Sequence, residues 1–199
     1  LLTDDEIIGS ANSFIGFRVL ATATGRKINW VEMKNHKIDL EGIKRNINDY
    51  TKIIYIANPD NPMGTYITNK EFDEFYENVP ERVLVILDEA YFEYADHLND
   101  YPNSMTYRYD NVITLRTFSK AYGLAGFRVG YGFGHADLIK DSTLSYLRDN
   151  YKMLLEKGYV VLGCSADSPA RHVKFIEKHD LPFSLIADES KQVLNDYGV

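Results

Sequence analysis

The sequence predicts an α/β fold built on a mostly parallel β-sheet. Short apolar runs rich in β-branched and aromatic residues alternate with segments of helical periodicity, which is the order expected of βαβ units. Several strand-like runs lead into polar residues, and ligands of such sheets bind outside the carboxyl ends of the strands. With 199 residues, 45% of them hydrophobic, the chain is long enough to bury a core.

The first third of the chain gives a regular alternation of elements. Residues 14–24 have a helical pattern that is closed by Gly25, and residues 27–33 follow as a strand. Asp39 is placed as the N-cap of a short helix. Residues 52–57 form the next apolar run, so a second buried strand is predicted there.

A tight loop is predicted directly after this strand. It has the sequence Asn58-Pro59-Asp60-Asn61-Pro62-Met63-Gly64, whose prolines and glycine exclude regular structure. Thr68 and Glu71 form a capping box for a helix over residues 69–78. The next buried strand is predicted at 82–87 and a further strand at 112–115, followed by a glycine-rich stretch at 119–134.

The pattern changes after about residue 139. A helix is predicted over 143–157, a strand over 159–163, a helix opened by Ser168-Pro169, a strand over 183–187 and a helix over 191–197. No linker rich in Gly, Ser or Pro separates the two regions. We therefore expect two partial domains, 1–139 and 140–199, joined abruptly.

Composition narrows the partners that we expect. The net charge of −7 gives no basic field for nucleic acid or an anionic membrane surface. No apolar run approaches the roughly 20 residues of a membrane-spanning helix, and no signal peptide is apparent. The single cysteine, Cys164, excludes an internal disulfide framework and a multi-cysteine metal cluster. We therefore expect a cytoplasmic protein that acts on small molecules.

Lys120 lies in a segment suited to binding a phosphate group. The hydroxyls of Thr117 and Ser119 can donate to phosphate oxygens, and Arg128 adds a planar fork suited to the same dianion. A nucleotide-binding P-loop is the rival interpretation, but that motif has glycine directly before its lysine. Ser119 occupies this position, so the P-loop interpretation is excluded.

Asp88 is the second candidate, because it follows an apolar strand from which its carboxylate emerges. A protonated pyridine nitrogen is a suitable ion-pair partner for it. Taken singly, an Asp after a strand most often caps a helix, and a lone Lys on a loop is most often a surface charge. Together with Asn61 after the previous strand, these residues point to one site.

Three segments resemble fold-type I pyridoxal-phosphate (PLP) aminotransferases: 58–64, 87–94 and 114–131. The run Asp88-Glu89-Ala90-Tyr91-Phe92-Glu93-Tyr94 is similar to the histidinol-phosphate aminotransferase branch in particular. The resemblance implies these roles: Lys120 as Schiff-base lysine, Asp88 at the pyridine nitrogen, Asn61 and Tyr91 at the phenolic oxygen, Thr117, Ser119 and Arg128 at the phosphate, and Phe14 stacked on the ring. Met63 departs from the threonine usual in the family.

The implied reaction is amino transfer between an amino acid or histidinol phosphate and a 2-oxo acid, in an enzyme that forms homodimers. The resemblance covers a middle stretch of a longer enzyme. The family's N-terminal arm, the glycine-rich turn that completes its phosphate site, and the small domain with its carboxylate-binding arginine have no counterpart in this sequence. An inactive fragment is therefore one of the expectations.

Residues 143–199 resemble a different family, the thioredoxin-fold peroxiredoxins of the bacterioferritin-comigratory type. The matching runs are 147–151, 158–169, 179–183 and 196–199. The family's peroxidatic cysteine precedes the helix near Thr143, so Cys164 is not its equivalent and is expected to be a buried core residue. His172 and His179 are interpreted as solvated helix residues rather than metal ligands. A chimeric or truncated reading frame is suggested, and the alternative function is a thiol peroxidase fragment without its catalytic cysteine.

Overall fold

The computed structural model describes residues 4–104, 109–135, 148–156, 161–165, 167–190 and 192 of the chain. The chain divides into two compact units. The first comprises Leu1–Leu124 and Gly130–His135, and the second comprises Ala125–Val129 and Ala136–Val199.

The first unit is built on a six-stranded sheet. Its strands are β1 Glu6–Ser10, β2 Lys27–Val31, β3 Thr51–Ala57, β4 Leu84–Asp88, β5 Val112–Thr117 and β6 Gly130–Gly134. The order across the sheet is β2-β1-β3-β4-β5-β6. All neighbours pair in parallel except β5 and β6, which are antiparallel. The predicted α/β class with a mostly parallel sheet is confirmed.

Three α-helices connect the parallel strands, and their termini follow the predicted caps. They are α1 Ile15–Ala23, α2 Leu40–Asn46 and α3 Asn69–Tyr76. Asp39 caps α2 by accepting from the Gly42 amide, and Thr68 with Glu71 forms the predicted capping box of α3. Gly25 follows α1 with a φ of 66°, a conformation that glycine adopts at low cost.

The core of this unit lies on one face of the sheet. Alternate residues of β3 and β4, such as Ile54, Ile56 and Val85, are fully buried there. Phe72 and Phe75 of α3 pack against them in one hydrophobic cluster. The intervening residues of the same strands point to the opposite face, where the polar strand ends lie.

Two strands were not predicted. β1 contains the charged residue Glu6, which is buried and accepts hydrogen bonds from Asn29 and Asn48 at 2.8 Å each. β6 falls in the stretch that was interpreted only as glycine-rich. Its glycines are required by close pairing with β5, because a Cβ at Gly130 would lie 2.8 Å from the carbonyl oxygen of Arg116.

The second unit contains a parallel strand pair. Its elements are a short 3₁₀ turn at Ala125–Phe127, α4 Tyr151–Glu156, β7 Leu162–Ser165, α5 Pro169–His179 and β8 Ser184–Ala187. β7 pairs with β8 in parallel, with Cys164 opposite Ile186. The helix α5 begins after Ser168, as predicted. β7 begins at Leu162 within the strand predicted over 159–163, of which residues 159 and 160 lie outside the described residues.

One prediction for this unit is corrected, and others concern residues that the structure does not describe. His172 is buried rather than solvated, with a relative exposure of 6%, because it points inward from the first turn of α5. Residues 143–147, 157–160 and most of the helix predicted over 191–197 lie outside the described residues. In the part of the chain that the structure describes, no helix is long and apolar enough to cross a membrane.

Candidate active site

The carboxyl ends of three neighbouring strands bring the predicted residues of the first unit to one edge of the sheet. Ala57 at the end of β3 pairs with Asp88 at the end of β4, and Asp88 pairs with Leu115 of β5. Asn61 follows β3 in its loop, and Thr117 ends β5. This edge is where ligands bind in parallel sheets.

Tyr91 lies between Asn61 and Lys120. The Asn61 amide donates to the Tyr91 hydroxyl at 3.4 Å, and Lys120 Nζ lies 5.2 Å from the centroid of the Tyr91 ring. Lys120 is exposed, whereas Asn61 and Tyr91 are half-buried. Three residues that are up to 59 positions apart in the sequence therefore meet around one aromatic ring.

Asp88 is held by two donors. The Tyr55 hydroxyl donates to Asp88 Oδ2 at 2.6 Å, and the Ala90 amide donates to Oδ1 at 3.1 Å. The sequence interpretation missed Tyr55, which was grouped with the apolar residues of β3. Its polar tip next to a strand end was the available signal, because buried tyrosine hydroxyls usually find a partner.

The loop that carries Phe14 is tied to the loop that carries Asn61. Ser13 donates to Asp60, whose other carboxylate oxygen accepts from the Met63 amide at 3.3 Å. Burial raises the pKa of Asp60, and the hydrogen bond from Ser13 acts in the opposite direction. The two loops line an open depression of about 410 Å³, whose residues are Asn12, Ser13, Phe14, Ile15, Asn61, Pro62 and Met63.

Phe14 is 38% exposed and precedes α1, with its side chain among the residues that line this depression. Phe14 and Asn61 are therefore brought together. At the end of β5 the Ser119 amide donates to Thr117 Oγ1 at 3.1 Å, which folds this segment into a turn just before Lys120. Arg128 belongs to Ala125–Val129 of the second unit, where its Nη1 donates to the Ala125 carbonyl at 3.1 Å.

Glu89 and Arg116 were not predicted as partners, and they lie on the sheet face opposite to Asp88. Arg116 Nε donates to Glu89 Oε2 at 2.8 Å, and both side chains are buried. Burial raises the pKa of Glu89 to about 7, although the nearby Arg116 charge lowers it. Within the described ranges there is no group of three or more His, Cys, Asp or Glu side chains that could hold a metal ion.

Comparison with known proteins identifies the family of the chain. The model of the family "Aminotransferase class I and II" matches residues 1–165. The chain belongs to this family. A second model, that of the AhpC/TSA family, matches residues 141–199 and overlaps with the first over 141–165. The resemblances to an aminotransferase and, at the C-terminus, to a peroxiredoxin-type family are confirmed.

Two curated relatives are both named histidinol-phosphate aminotransferase 2. Histidinol-phosphate aminotransferase 2 of Carboxydothermus hydrogenoformans is 46% identical over 138 residues, which cover 68% of this chain and 38% of that protein. Histidinol-phosphate aminotransferase 2 of Bacillus cereus is 33% identical over 196 residues, covering 92% of this chain and 53% of that protein. The chain thus spans about half the length of these relatives or less.

Solved structures support the same fold. Histidinol-phosphate aminotransferase from Sinorhizobium meliloti, solved in complex with pyridoxal-5'-phosphate, matches with a TM-score of 0.63 at 34% identity. The match covers 68% of this chain and 37% of that one. An aspartate aminotransferase from Thermus thermophilus matches with a TM-score of 0.62 at 22% identity, which indicates a shared fold alone.

Proposed function

We propose that the first unit is the PLP-binding part of an aminotransferase, with Lys120 as the residue that binds the cofactor covalently. The observation that carries this proposal is the meeting of Asn61, Tyr91 and Lys120 at the carboxyl edge of the sheet, where Asp88 ends β4. The family membership of residues 1–165 and the PLP complex of the Sinorhizobium meliloti structure support it.

The donor set fits the polar groups of this cofactor. An amine suits its aldehyde, a carboxylate suits its pyridine nitrogen, and an amide with a phenol suits its phenolic oxygen. Lys120, Asp88 and the Asn61–Tyr91 pair would fill these roles in turn. The backbone turn at Thr117 and Ser119 would hold the phosphate, and Phe14 would stack on the ring.

When bound, PLP supplies an electron sink that stabilises negative charge at the α-carbon of an amino acid. Asp88 would hold the proton of the ring nitrogen, which keeps that sink effective. The Lys120 amine, once released by an incoming amine, would accept and return the α-proton as general base and acid. Tyr91, whose ring lies 5.2 Å from Lys120 Nζ, would limit the directions in which that amine moves.

The substrate class is also part of the proposal. The two relatives named above support amino transfer involving histidinol phosphate or an amino acid and a 2-oxo acid. Because the chain spans 38% to 53% of their length, complete turnover is proposed for a protein that contains this unit. Homodimer formation and a cytoplasmic location belong to the same proposal.

We further propose that residues 1–139 derive from the aminotransferase and residues 140–199 from a peroxiredoxin-like protein. The AhpC/TSA match over 141–199 supports this division. No peroxidase activity is proposed for the second part, because the family's catalytic cysteine would precede residue 143.

The direct experiment is covalent trapping of the cofactor. We expect the purified chain mixed with PLP to develop a visible absorption band, and borohydride to fix the label at Lys120 as located by peptide mapping. K120A removes the reactive amine and should abolish the band. K70A is the matched control, since Lys70 is an exposed lysine on α3 and should change nothing. A missing band, or a label on another lysine, would contradict the proposal.

A further inference from the structure

Tyr55 of β3 and Asp88 of β4 lie on the same face of the sheet. β3 and β4 pair in parallel with Ala57 opposite Asp88, so Tyr55 is two residues earlier on the same face. The short side chain of Ala57 lets the tyrosine reach diagonally to the neighbouring strand. Its hydroxyl donates to Asp88 Oδ2 at 2.6 Å, which links two strands through side chains alone.

A residue of α1 packs on the ring of Tyr55 and fixes its position. Phe17 stacks on it with ring centroids 3.8 Å apart and 5° between the ring planes. Trp30 meets Phe17 edge-on, with centroids 6.2 Å apart. Gly9 of β1 makes this packing possible, because a Cβ there would lie 2.9 Å from Trp30 Cζ3 and 3.0 Å from Phe17 Cε1. The direction of the Tyr55 hydroxyl is therefore set by the packing of three aromatic rings.

The phenol acts as a permanent donor to the carboxylate. Burial raises the pKa of Tyr55 far above its usual range, and the Asp88 carboxylate beside it acts in the same direction. The Ala90 amide engages the second carboxylate oxygen at 3.1 Å. Because a carboxylate has about four acceptor positions, Asp88 keeps acceptor capacity toward a further group while its orientation is fixed.

We propose that Tyr55 is a positioning residue, which orients the Asp88 carboxylate toward the pyridine nitrogen of PLP. This inference rests on the function proposed above. A carboxylate held by a buried phenol and a backbone amide has a fixed orientation toward its ion-pair partner. It therefore loses little conformational entropy when the cofactor binds. Tyr55 acts through Asp88 and need not touch the cofactor itself.

The test compares two Tyr-to-Phe variants of the full 199-residue chain. Y55F removes the hydroxyl that reaches Asp88 and keeps the ring that stacks on Phe17. Y109F is the matched control, because Tyr109 donates to Asp73 at the same distance of 2.6 Å and packs on the core at the opposite face of the sheet. Each variant is titrated with PLP, reduced with borohydride and mapped, and the pH midpoint of its visible band is measured.

We expect Y55F to label at Lys120 with a half-saturating PLP concentration raised about five- to tenfold, the usual effect of one ordinary hydrogen bond, because Tyr55 acts on the cofactor only through Asp88. The pH midpoint of the band should rise. A positive charge on the ring nitrogen favours loss of the proton at the Lys120 nitrogen. If Asp88 stabilises that charge less well, the proton is lost at a higher pH. Y109F should match the unmodified chain in both readouts.

The outcomes separate this inference from the proposed function. If Lys120 is labelled and Y55F behaves like Y109F, the role of Tyr55 is overturned and the PLP site stands. If the unmodified chain is not labelled at Lys120, both are overturned. Should Y55F fail to fold, F17L replaces it, since it keeps the hydroxyl and removes the stacked ring. F17L should raise the pH midpoint by a smaller amount, and an unchanged midpoint would overturn the inference.

Discussion

Arg116 and Glu89 form a buried ion pair that joins β5 to the end of β4. Arg116 Nε lies 2.8 Å from Glu89 Oε2, and the two side chains are 3% and 1% exposed. The guanidinium carbon also lies 3.4 Å from the centroid of the Phe92 ring. Since Asp88 and Thr117 are the sequence neighbours of this pair, the ion pair anchors the strand ends that carry them.

The ion pair leads to a prediction about pH and stability. Burial, helped by the nearby Glu93 charge, raises the pKa of Glu89 from 4.5 to about 7, against the effect of Arg116. A carboxyl group with a raised pKa stabilises the folded state fully below its unfolded-state value and loses that contribution as the pH rises through the folded-state value. We therefore expect the free energy of unfolding to fall as the pH rises across this interval.

The measurement is urea unfolding of the unmodified chain and E89Q at two pH values, about one unit below 4.5 and about one unit above 7. E89Q does not titrate at this position, so subtracting its pH dependence isolates Glu89 from other shifted carboxyls such as Asp60. E32Q changes an exposed glutamate and should keep the original pH dependence. Equal pH dependence of E89Q and the unmodified chain would refute the raised pKa.

T68A tests the capping box of α3. Thr68 Oγ1 accepts from the Glu71 amide at 3.3 Å, and the Glu71 carboxylate accepts from the Thr68 amide at 2.8 Å. Removing the threonine hydroxyl leaves a helix N–H without its cap, so the free energy of unfolding should fall by about 1 kcal/mol. T68S should restore most of it. T22A, at an exposed position of α1, is the control, and an equal effect of T22A would count against the cap.

The helices were predicted from the sequence because their signals are local. Asp39, Thr68 and Gly25 determine helix ends through contacts within a few residues, and each is observed in its predicted role. The antiparallel strand β6 was not predicted within the glycine-rich stretch 119–134, because glycine has low strand propensity. The alternation of glycine with Tyr131 and Phe133 was the signal for it, since period two is typical of a strand.

The candidate site was predictable where single residue types carry recognisable chemistry. Asp88 ends β4 while Asn61 and Lys120 follow β3 and β5, and the carboxyl ends of parallel strands lie at one edge of the sheet. The hydrogen bond from Tyr55 to Asp88 spans 33 positions and depends on the register of β3 against β4. No local pattern encodes that register, so the sequence indicates that a buried Tyr55 hydroxyl needs a partner but does not identify Asp88 as that partner.

G9A tests the aromatic packing below Asp88. The added Cβ would lie 2.9 Å from Trp30 Cζ3 and 3.0 Å from Phe17 Cε1, so both rings must move. We expect the free energy of unfolding to fall by about 1–3 kcal/mol, as is usual for overpacking. G126A adds the same methyl group where no atom lies within 4 Å and serves as control. Urea unfolding measures both, and a G9A effect no larger than that of G126A would show that the rings adjust freely.

C164S tests whether the second unit has thiol chemistry. Cys164 is the single cysteine of the chain and lies on β7, opposite Ile186 of β8. The peroxidatic cysteine of the peroxiredoxins that the C-terminal segment resembles would precede residue 143, so Cys164 is not its equivalent. We expect no enzymatic consumption of hydrogen peroxide with a thiol reductant, before or after the substitution. Consumption that C164S abolishes would establish a peroxidase instead.

D88N tests the electrostatic role of the carboxylate in the proposed PLP site. Asparagine keeps the shape of Asp88 and an acceptor oxygen for the Tyr55 hydroxyl, but it has no charge to pair with a protonated ring nitrogen. The half-saturating PLP concentration should rise at least about tenfold, because a hydrogen bond to a charged partner is lost. Borohydride should still place the label on Lys120, since the amine is unchanged. D96N removes an exposed carboxylate near the same strand end and should bind PLP as the unmodified chain does. If D88N and D96N bind PLP equally well, Asp88 does not face the ring nitrogen, and the assignment of the cofactor's orientation at this edge of the sheet must be abandoned.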